Sequence, residues 1–569
     1  MSVVTTPPRV AYIVSDELIK YADLLPSNQG RSSLVHSLAH HLDLLDLDRL
    51  DDHDKGIGTS SAASHKAKLL QAIGADGSSA SSGDLARRRA VAYRPTAASH
   101  QQLTSYHEDS FVRQLAKGAK AGNNEQIPSP DAAFKRRRLN GASSDSNSAA
   151  SDTTSHASGN SDEELHFKPS SSSVSGRSRK RGCKQSRPAK NQFGLQDDCP
   201  AFDGLQQYVP LVAGAAVTAA NLLATGCADI AIAWDGGRHH AKKGASSGFC
   251  YIADVVLAIL SLRKPRKVTV TTNVPRVRSE NQEEEQETVR KTTIKRVDRV
   301  MYLDLDLHWG DGVEEAFHST PNVLTLSIHH YAPGFFPCYA ASSDPERFSP
   351  PGSLNSDAGT GGKTLNIPLG MGTSDASLER VMESTVQPLV DAWDPEMVVV
   401  QCGVDGLAGD PMAVWNLSAA AYVKAIQRVL SWKKPTLLLG GGGYCSENAA
   451  RCWSLLTAVC LGRFKERDHS KRNSSAGRPL QGEPLPLTEQ KETIPSDQKD
   501  ILQNSASPSL ATISYDTAIP DHKFWPNYAP TYSLDVPAGE MIDQNDEAHF
   551  EAISKTFTEH IQKADSGSR

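Results

Sequence analysis

The chain has 569 residues, 38% hydrophobic and 22% charged, and a formal net charge of −6 at pH 7. That length accommodates a large core, and the acidic balance excludes a protein that grips nucleic acid over a broad face. No run reaches the roughly 18 apolar residues a membrane helix needs, and the first residues lack the charged-then-apolar pattern of a secretory leader. The nine cysteines form no CxxC pair, which fits reduced thiols rather than a disulfide framework.

In chain order, short aliphatic and β-branched runs recur at RVAYIV (9–14), DIAIAW (229–234), RVMYLDLD (299–306), VLTLSIH (323–329), TLNIPL (364–369), MVVVQCG (397–403) and PTLLLGGGG (435–443). Most are continuously apolar, as in parallel strands covered on both faces. Helical periodicity marks 207–225, 249–262, 376–391 and 417–430. Strand and helix alternating in this way predict an open, mainly parallel α/β sheet. Polar stretches at about 51–90, 119–192, 271–297 and 465–508 hold too little apolar surface to offset chain entropy, and read as disordered insertions. One of them carries the basic runs KRRR (135–138) and RSRKRGCKQSRPAK (177–190). These fit a nuclear-import signal, with solvated charge as the plain alternative.

In sheets of this kind ligands bind beyond the carboxyl ends of the strands. Four strand ends carry unusual polar residues: Asp235, Arg238, His239 and His240 after DIAIAW; Asp304, Asp306 and His308 in YLDLDLH; Asp405 after MVVVQCG; and Tyr444 after four glycines. Buried carboxylates need partners. Asp and His without a cysteine pair point to a divalent metal, with Asp306 and His308 chelating at i and i+2 and Asp405 reaching in from another strand. For a lone Asp or His, a helix cap or loop ion pair is the commoner explanation, and the set on one rim outweighs it. Adjacent residues of an extended segment point to opposite sides, so His239 and His240 suit acid–base work, each oriented by a carboxylate, Asp304 or Asp311. For the dipeptide alone, backbone hydrogen bonding in a Gly-rich loop explains as much. Tyr444 is placed to donate to a developing oxyanion, against the alternative of a flexible turn. Together these groups describe hydrolysis of an amide or ester.

The blocks GGRHHAKK, GFCYIAD, YLDLDLHWGDGVEEAF, PGFFP, GVDGLAGDPM, LLLGGGGY and ARCWSLLT resemble the zinc-dependent histone deacetylases, class I most closely, with a weaker likeness to a fungal Hos-type branch. The resemblance implies an arginase/deacetylase-type α/β fold. It would be a single domain over 8–545 with a central, mainly parallel eight-stranded sheet flanked by helices, the polar stretches as loop insertions and 546–569 as a C-terminal tail. It implies zinc on Asp306, His308 and Asp405, a set that also suits iron(II). His239 and His240 become the acid–base pair with Asp304 and Asp311, and Tyr444 polarises the acetyl carbonyl. Gly248, Phe249 and Phe336 match the lysine tunnel, Met412 its rim, Asp198 the carboxylate that holds the substrate backbone, and Arg31 an internal acetate channel. Structural potassium is implied at an inner site (Asp304, Asp306, His308, Ser327, Ile328) and an outer one (Phe317, Thr320, Val323). Arg238 stands where class I members usually carry Leu or Trp, and Trp309 where a polar residue is more usual.

The implied activity is removal of acetyl groups from lysines of histone tails or other nuclear proteins. The implied setting is the nucleus, and also the cytoplasm, with corepressor complex subunits as partners, no sequence-specific DNA contact and no membrane. Acetylpolyamine hydrolysis on the same fold and a non-enzymatic corepressor scaffold remain open at this point.

Overall fold

A computed structural model describes residues 7–48, 50, 62–75, 88–118, 190–276, 285–338, 350–354, 363–466 and 512–567. Its strands are β1 (Val10–Ile13), β2 (Leu45–Asp46), β3 (Ala90–Tyr93), β4 (Ile230–Ala233), β5 (Arg266–Arg276), β6 (Glu285–Lys295), β7 (Val300–Asp304), β8 (Val323–His330), β9 (Thr364–Leu369), β10 (Met397–Gln401) and β11 (Thr436–Leu439). Nine of them form one sheet in the order β2-β3-β1-β4-β11-β10-β7-β8-β9, and every pairing in it is parallel. The sheet has one strand more than the eight expected.

The continuously apolar strands arise because both faces are covered. In β1, Val10 and Tyr12 join one apolar cluster while Ala11 and Ile13 join another. In β10, Val398 and Val400 face the first cluster, and Met397 and Val399 the second. Alternate residues of a strand point to opposite faces, so two clusters mean two packed helical layers. The helix Leu205–Ala224 covers one face, with Tyr208, Val212 and Ala216 buried. By length and mean composition it is apolar enough to cross a membrane, although Gln206, Gln207, Thr218 and Asn221 interrupt its apolar residues, and 67% of its apolar window is buried in the core. Its many alanines make it read as apolar without bulk.

Three departures concern the polar stretches and the tail. Within 51–90 the described residues include the helix Ala62–Ala72 and the start of β3. Within 271–297 the described residues pair as strands where disorder was expected: β5 and β6 run antiparallel from Arg266↔Lys295 to Arg276↔Glu285. The Thr and Val content of the segment favours strand even though its hydrophobicity is low. The tail is helical over Glu547–Gly567 and buries Phe550, Ile553 and Phe557 in the core, so it belongs to the domain. KRRR, and the second basic run except Lys190, lie outside the described residues, as do nearly all of 119–192 and of 465–508.

The consequence for function is the adjacency of β4, β11, β10 and β7. Ala233 lies beside Leu439, Leu439 beside Gln401, and Gln401 beside Asp304. Four strands therefore end level and side by side, and their following residues open onto one rim.

Candidate metal centre and acid–base site

Asp304 is the last residue of β7, and the chain then runs through Asp306 and His308 into the helix Asp311–Phe317. All three side chains are buried to within 1%. Asp405 follows β10 and is equally buried. The ligand atoms of Asp306, His308 and Asp405 all lie within 4.8 Å of one another. His308 Nδ1 is 2.8 Å from Asp405 Oδ2 and 3.3 Å from Asp306 Oδ1. Backbone donors fix the carboxylates: Leu307 N–H donates to Asp405 Oδ1 at 2.9 Å, and Gly442 N–H to Asp306 Oδ2 at 2.8 Å.

These residues fit a divalent cation. Burial and the charge of Asp306 push the Asp405 carboxyl up, while Asp306 is held well below the usual range against burial by His239 and His308. Two carboxylates this close cannot both ionise cheaply without a cation between them. Glycines leave the space. A Cβ at Gly403 would overlap Asp306 Oδ2, and one at Gly442 would overlap Asp405 Oδ2.

His239 and His240 sit in the turn after β4. Their rings lie 3.9 Å apart at 49°, on the same side, which corrects the expectation of opposite sides. The segment is a turn rather than a strand, with Gly237 at φ +85°. Asp254 accepts the backbone N–H of Gly237 at 2.9 Å and of Arg238 at 2.7 Å, and Gln401 Nε2 donates to the Gly237 carbonyl at 2.7 Å. His239 Nδ1 meets Asp304 Oδ2 at 2.8 Å, and His240 Nδ1 meets Asp311 Oδ1 at 2.8 Å. Asp304 also accepts from Tyr302 Oη at 2.7 Å, and Asp311 from Lys242 Nζ at 2.6 Å. Burial lowers the His239 imidazole pKa, but the charges of Asp304 and Asp306 outweigh it and raise it to about 9.

Tyr444 is partly buried and follows the glycine loop. Arg31 Nη1 donates to the carbonyls of Gly441 and Gly443 at 3.0 and 2.9 Å, pinning that loop. Asp410 fixes the tyrosine backbone: its Oδ2 accepts Tyr444 N–H at 2.7 Å, and its Oδ1 accepts Met412 N–H at 2.9 Å. Burial and the nearby charge of Asp405 push the Asp410 carboxyl up to about 7.

Aromatic rings wall the approach. Phe335 stacks on His308 at 5.2 Å, Phe336 meets His240 edge-on at 4.8 Å, and Phe249 meets Tyr444 edge-on at 5.7 Å. Gly248 must lack a side chain, because a Cβ would press on the His240 ring and on Phe336. Its N–H donates to Asp198 Oδ2 at 2.8 Å, which brings Asp198 to the same entrance. Met412 is tied to the tyrosine loop through its N–H bond to Asp410.

Ser327 pairs in register with Asp304, so the implied inner potassium residues cluster at the rim. Phe317, Thr320 and Val323 form the turn into the opposite end of β8, where the Phe317 carbonyl accepts Thr320 N–H at 2.8 Å. Trp309, without a role in the sequence, donates Nε1–H to Glu314 Oε2 at 2.9 Å, and Asn366 Nδ2 donates to the same oxygen at 2.9 Å. Sequence reasoning missed Asp410, Asp254 and Gln401. Asp410 lies in a Gly-Asp-Pro turn and Gln401 in an apolar strand, and neither context signals a site.

A family model described as the histone deacetylase domain matches residues 65–272 and 288–460. Histone deacetylase 8 of Xenopus tropicalis is 34% identical over 379 residues, covering 66% of this chain and 77% of that protein. Histone deacetylase 8 of Danio rerio is 34% identical over 378 residues, covering 66% and 75%. Histone deacetylase 1 of Homo sapiens is 38% identical over 273 residues, covering 48% and 47%.

Proposed function

This chain belongs to the histone deacetylase family, and from that membership we propose that it hydrolyses the acetamide of N-acetyl-lysine on histones, with zinc held by Asp306, His308 and Asp405. The observation that carries this reading is the convergence of those three ligands within 4.8 Å beside two imidazoles 3.9 Å apart. When bound, zinc supplies Lewis acidity to the acetamide carbonyl and to the attacking water.

The residues of the chain do the rest. His240, with Nδ1 engaged by Asp311, presents Nε2 as the base that takes a proton from water and returns it to the leaving amine. His239, held cationic by Asp304, stabilises the negative charge of the transition state. Tyr444 Oη donates to the oxyanion. Phe249 and Phe336 form apolar walls that accept the neutral acetyl-lysine stem and disfavour the charged lysine product. Asp198 shapes the entrance through Gly248. Potassium at the inner residues Asp304, Asp306, His308, Ser327 and Ile328, and at the outer residues Phe317, Thr320 and Val323, would stiffen the loops under the site.

The basic runs support a nuclear address, and a corepressor complex is the setting we propose for the enzyme. The test is turnover of an acetyl-lysine histone peptide by the purified full-length chain and by Asp306→Asn. The wild type releases acetate and the variant does not. Equal rates in the two would remove the metal-hydrolase reading, and turnover of acetylpolyamines alone would replace histones as the substrate.

A further inference from the structure

On the rim side of the sheet, just beyond β9, three large apolar side chains stand out of the surface together. Met371 is 43% exposed, Met541 38% and Ile542 86%. Five large apolar residues are exposed among the described residues, and three of them meet here. Single exposed apolar residues are ordinary, whereas a cluster points to a binding surface. The cluster is also held still. Gln544 N–H donates to the Met371 carbonyl at 3.0 Å, and Asn545 Oδ1 accepts Gly370 N–H at 2.7 Å. Asn416 grips Met541 twice: its Nδ2 donates to the carbonyl at 2.5 Å, and its Oδ1 accepts the N–H at 3.2 Å. Asp543 Oδ2 accepts Ser374 N–H at 2.9 Å. A ledge ordered in advance loses little freedom when something lies on it.

A short chain of contacts joins the ledge to the tunnel. Phe335 stacks on His308 at 5.2 Å, and His330 meets Phe335 edge-on at 4.7 Å. His330 Nδ1 and Tyr331 N–H both lie 3.1 Å from the Leu369 carbonyl, two residues before Met371. On the other side, Gly372 N–H donates to the Val414 carbonyl at 2.8 Å, in the loop that carries Met412. An extended peptide advances about 3.3–3.6 Å per residue, so the ledge is within reach of a side chain about three to six residues from an acetyl-lysine in the tunnel.

Charge selects the occupant. The segments 330–338, 369–376, 404–417 and 531–546, which build this side of the mouth, contain no lysine or arginine. The last of them alone holds four acids, of which Glu540 and Asp546 are exposed. Asp198 borders the same mouth through Gly248. An apolar ledge in acidic surroundings fits a chain that sets lysine or arginine beside an aliphatic side chain, and it repels an acidic one. Resting on the deacetylase reading above, we propose that this ledge holds the basic stretch that flanks the acetyl-lysine of a substrate tail. An aliphatic residue of that stretch sits on Met541 and Ile542, so that substrates are selected by residues outside the tunnel.

The test measures initial rates of the full-length, metal-loaded chain on two peptides. They share the residues next to the acetyl-lysine; one ends there, and the other continues on both sides with lysine, arginine and leucine. The wild type prefers the long peptide by about tenfold in kcat/KM, the worth of seating one aliphatic side chain. Met541→Ser with Ile542→Ser removes most of that preference, through KM rather than kcat. Glu540→Lys also lowers it, and this effect fades as salt rises. A merely structural fault slows both peptides and leaves their ratio as it was. That outcome overturns the proposal, as does a wild type that treats the two peptides alike. Sedimentation gives the same mass for wild type and double variant. A wild type that self-associates where the double variant does not assigns the ledge to a second copy of the chain and overturns the proposal. Fluorescence anisotropy of the long peptide with unmodified lysine reports binding without turnover. Binding that the double variant loses supports the ledge even where acetyl-lysine is left intact; only the deacetylase reading then fails.

Discussion

Asp410 Oδ2 accepts the backbone N–H of Tyr444 at 2.7 Å and of Cys445 at 3.3 Å, so one buried carboxylate clamps the end of a loop made of four glycines. Tyr444→Phe therefore lowers kcat by about 10²- to 10³-fold through loss of one oxyanion donor. Asp410→Ala lowers it by about tenfold or more, because the phenol loses its placement while keeping its chemistry. Steady-state deacetylation with circular dichroism on both variants checks this. A folded Tyr444→Phe protein with wild-type kcat would take the tyrosine out of the mechanism.

Removing a metal ligand separates binding from chemistry. Asp306→Asn and His308→Ala lower zinc affinity by more than about a hundredfold, beyond the about 10- to 100-fold that loss of an outer hydrogen-bonding partner costs. Elemental analysis of the dialysed proteins reads this directly. Chelation of the wild type abolishes turnover and added zinc restores it; activity that survives full chelation contradicts the assignment.

The two imidazoles are not equivalent. His240→Ala costs about 10²- to 10⁴-fold in kcat/KM as the loss of a general base, and His239→Ala costs less. Asp304 raises the His239 pKa, so Asp304→Asn lowers it. Loss of the imidazolium then begins at lower pH, and the alkaline limb of the rate profile moves towards acid. A limb that stays in place would show that His239 does not titrate in the working range.

Acid stability follows from histidines buried neutral. Burial lowers His107 to about 4 and His330 to about 4. Their folded values lie below the free value of about 6.5, so their contribution is present above that pH and is lost as pH falls towards 4. His107 Nε2 accepts Ala253 N–H at 3.1 Å, a bond that protonation breaks. The urea midpoint falls between pH 6.5 and 4, with each such histidine worth up to about 3 kcal/mol. His107→Gln, which keeps an acceptor and cannot charge, flattens the curve; an unchanged slope would assign the acid loss elsewhere.

The seven apolar runs of the sequence each hold a strand of the sheet, and four polar strand ends identify the rim, because buried parallel strands and buried acids both leave strong signals. Leu45–Asp46 and Ala90–Tyr93 escape notice because a short strand has too few residues to show a pattern. The β5–β6 ribbon escapes because Thr, Lys and Arg suppress the apolar signal while Val and Thr still favour strand. The His239–His240 rings face the same way because a glycine turn, not a strand, carries them, and alternation has no force in a turn. Asp410 is invisible for a different reason: its partners are backbone N–H groups, which any sequence supplies. The contact of Trp309 with Glu314 spans five residues, an ordinary spacing that only the start of a helix makes close.

The glycine run after β11 has a meaning for how this protein tolerates change over generations. A Cβ at Gly440 would overlap the Trp234 carbonyl, one at Gly441 would strike Gln401 Nε2, and one at Gly443 would come within 2.6 Å of Val404. Crowding, more than suppleness, dictates this tetrapeptide. In a library randomised across 440–443, alanine is already too large, and the survivors reproduce the starting sequence.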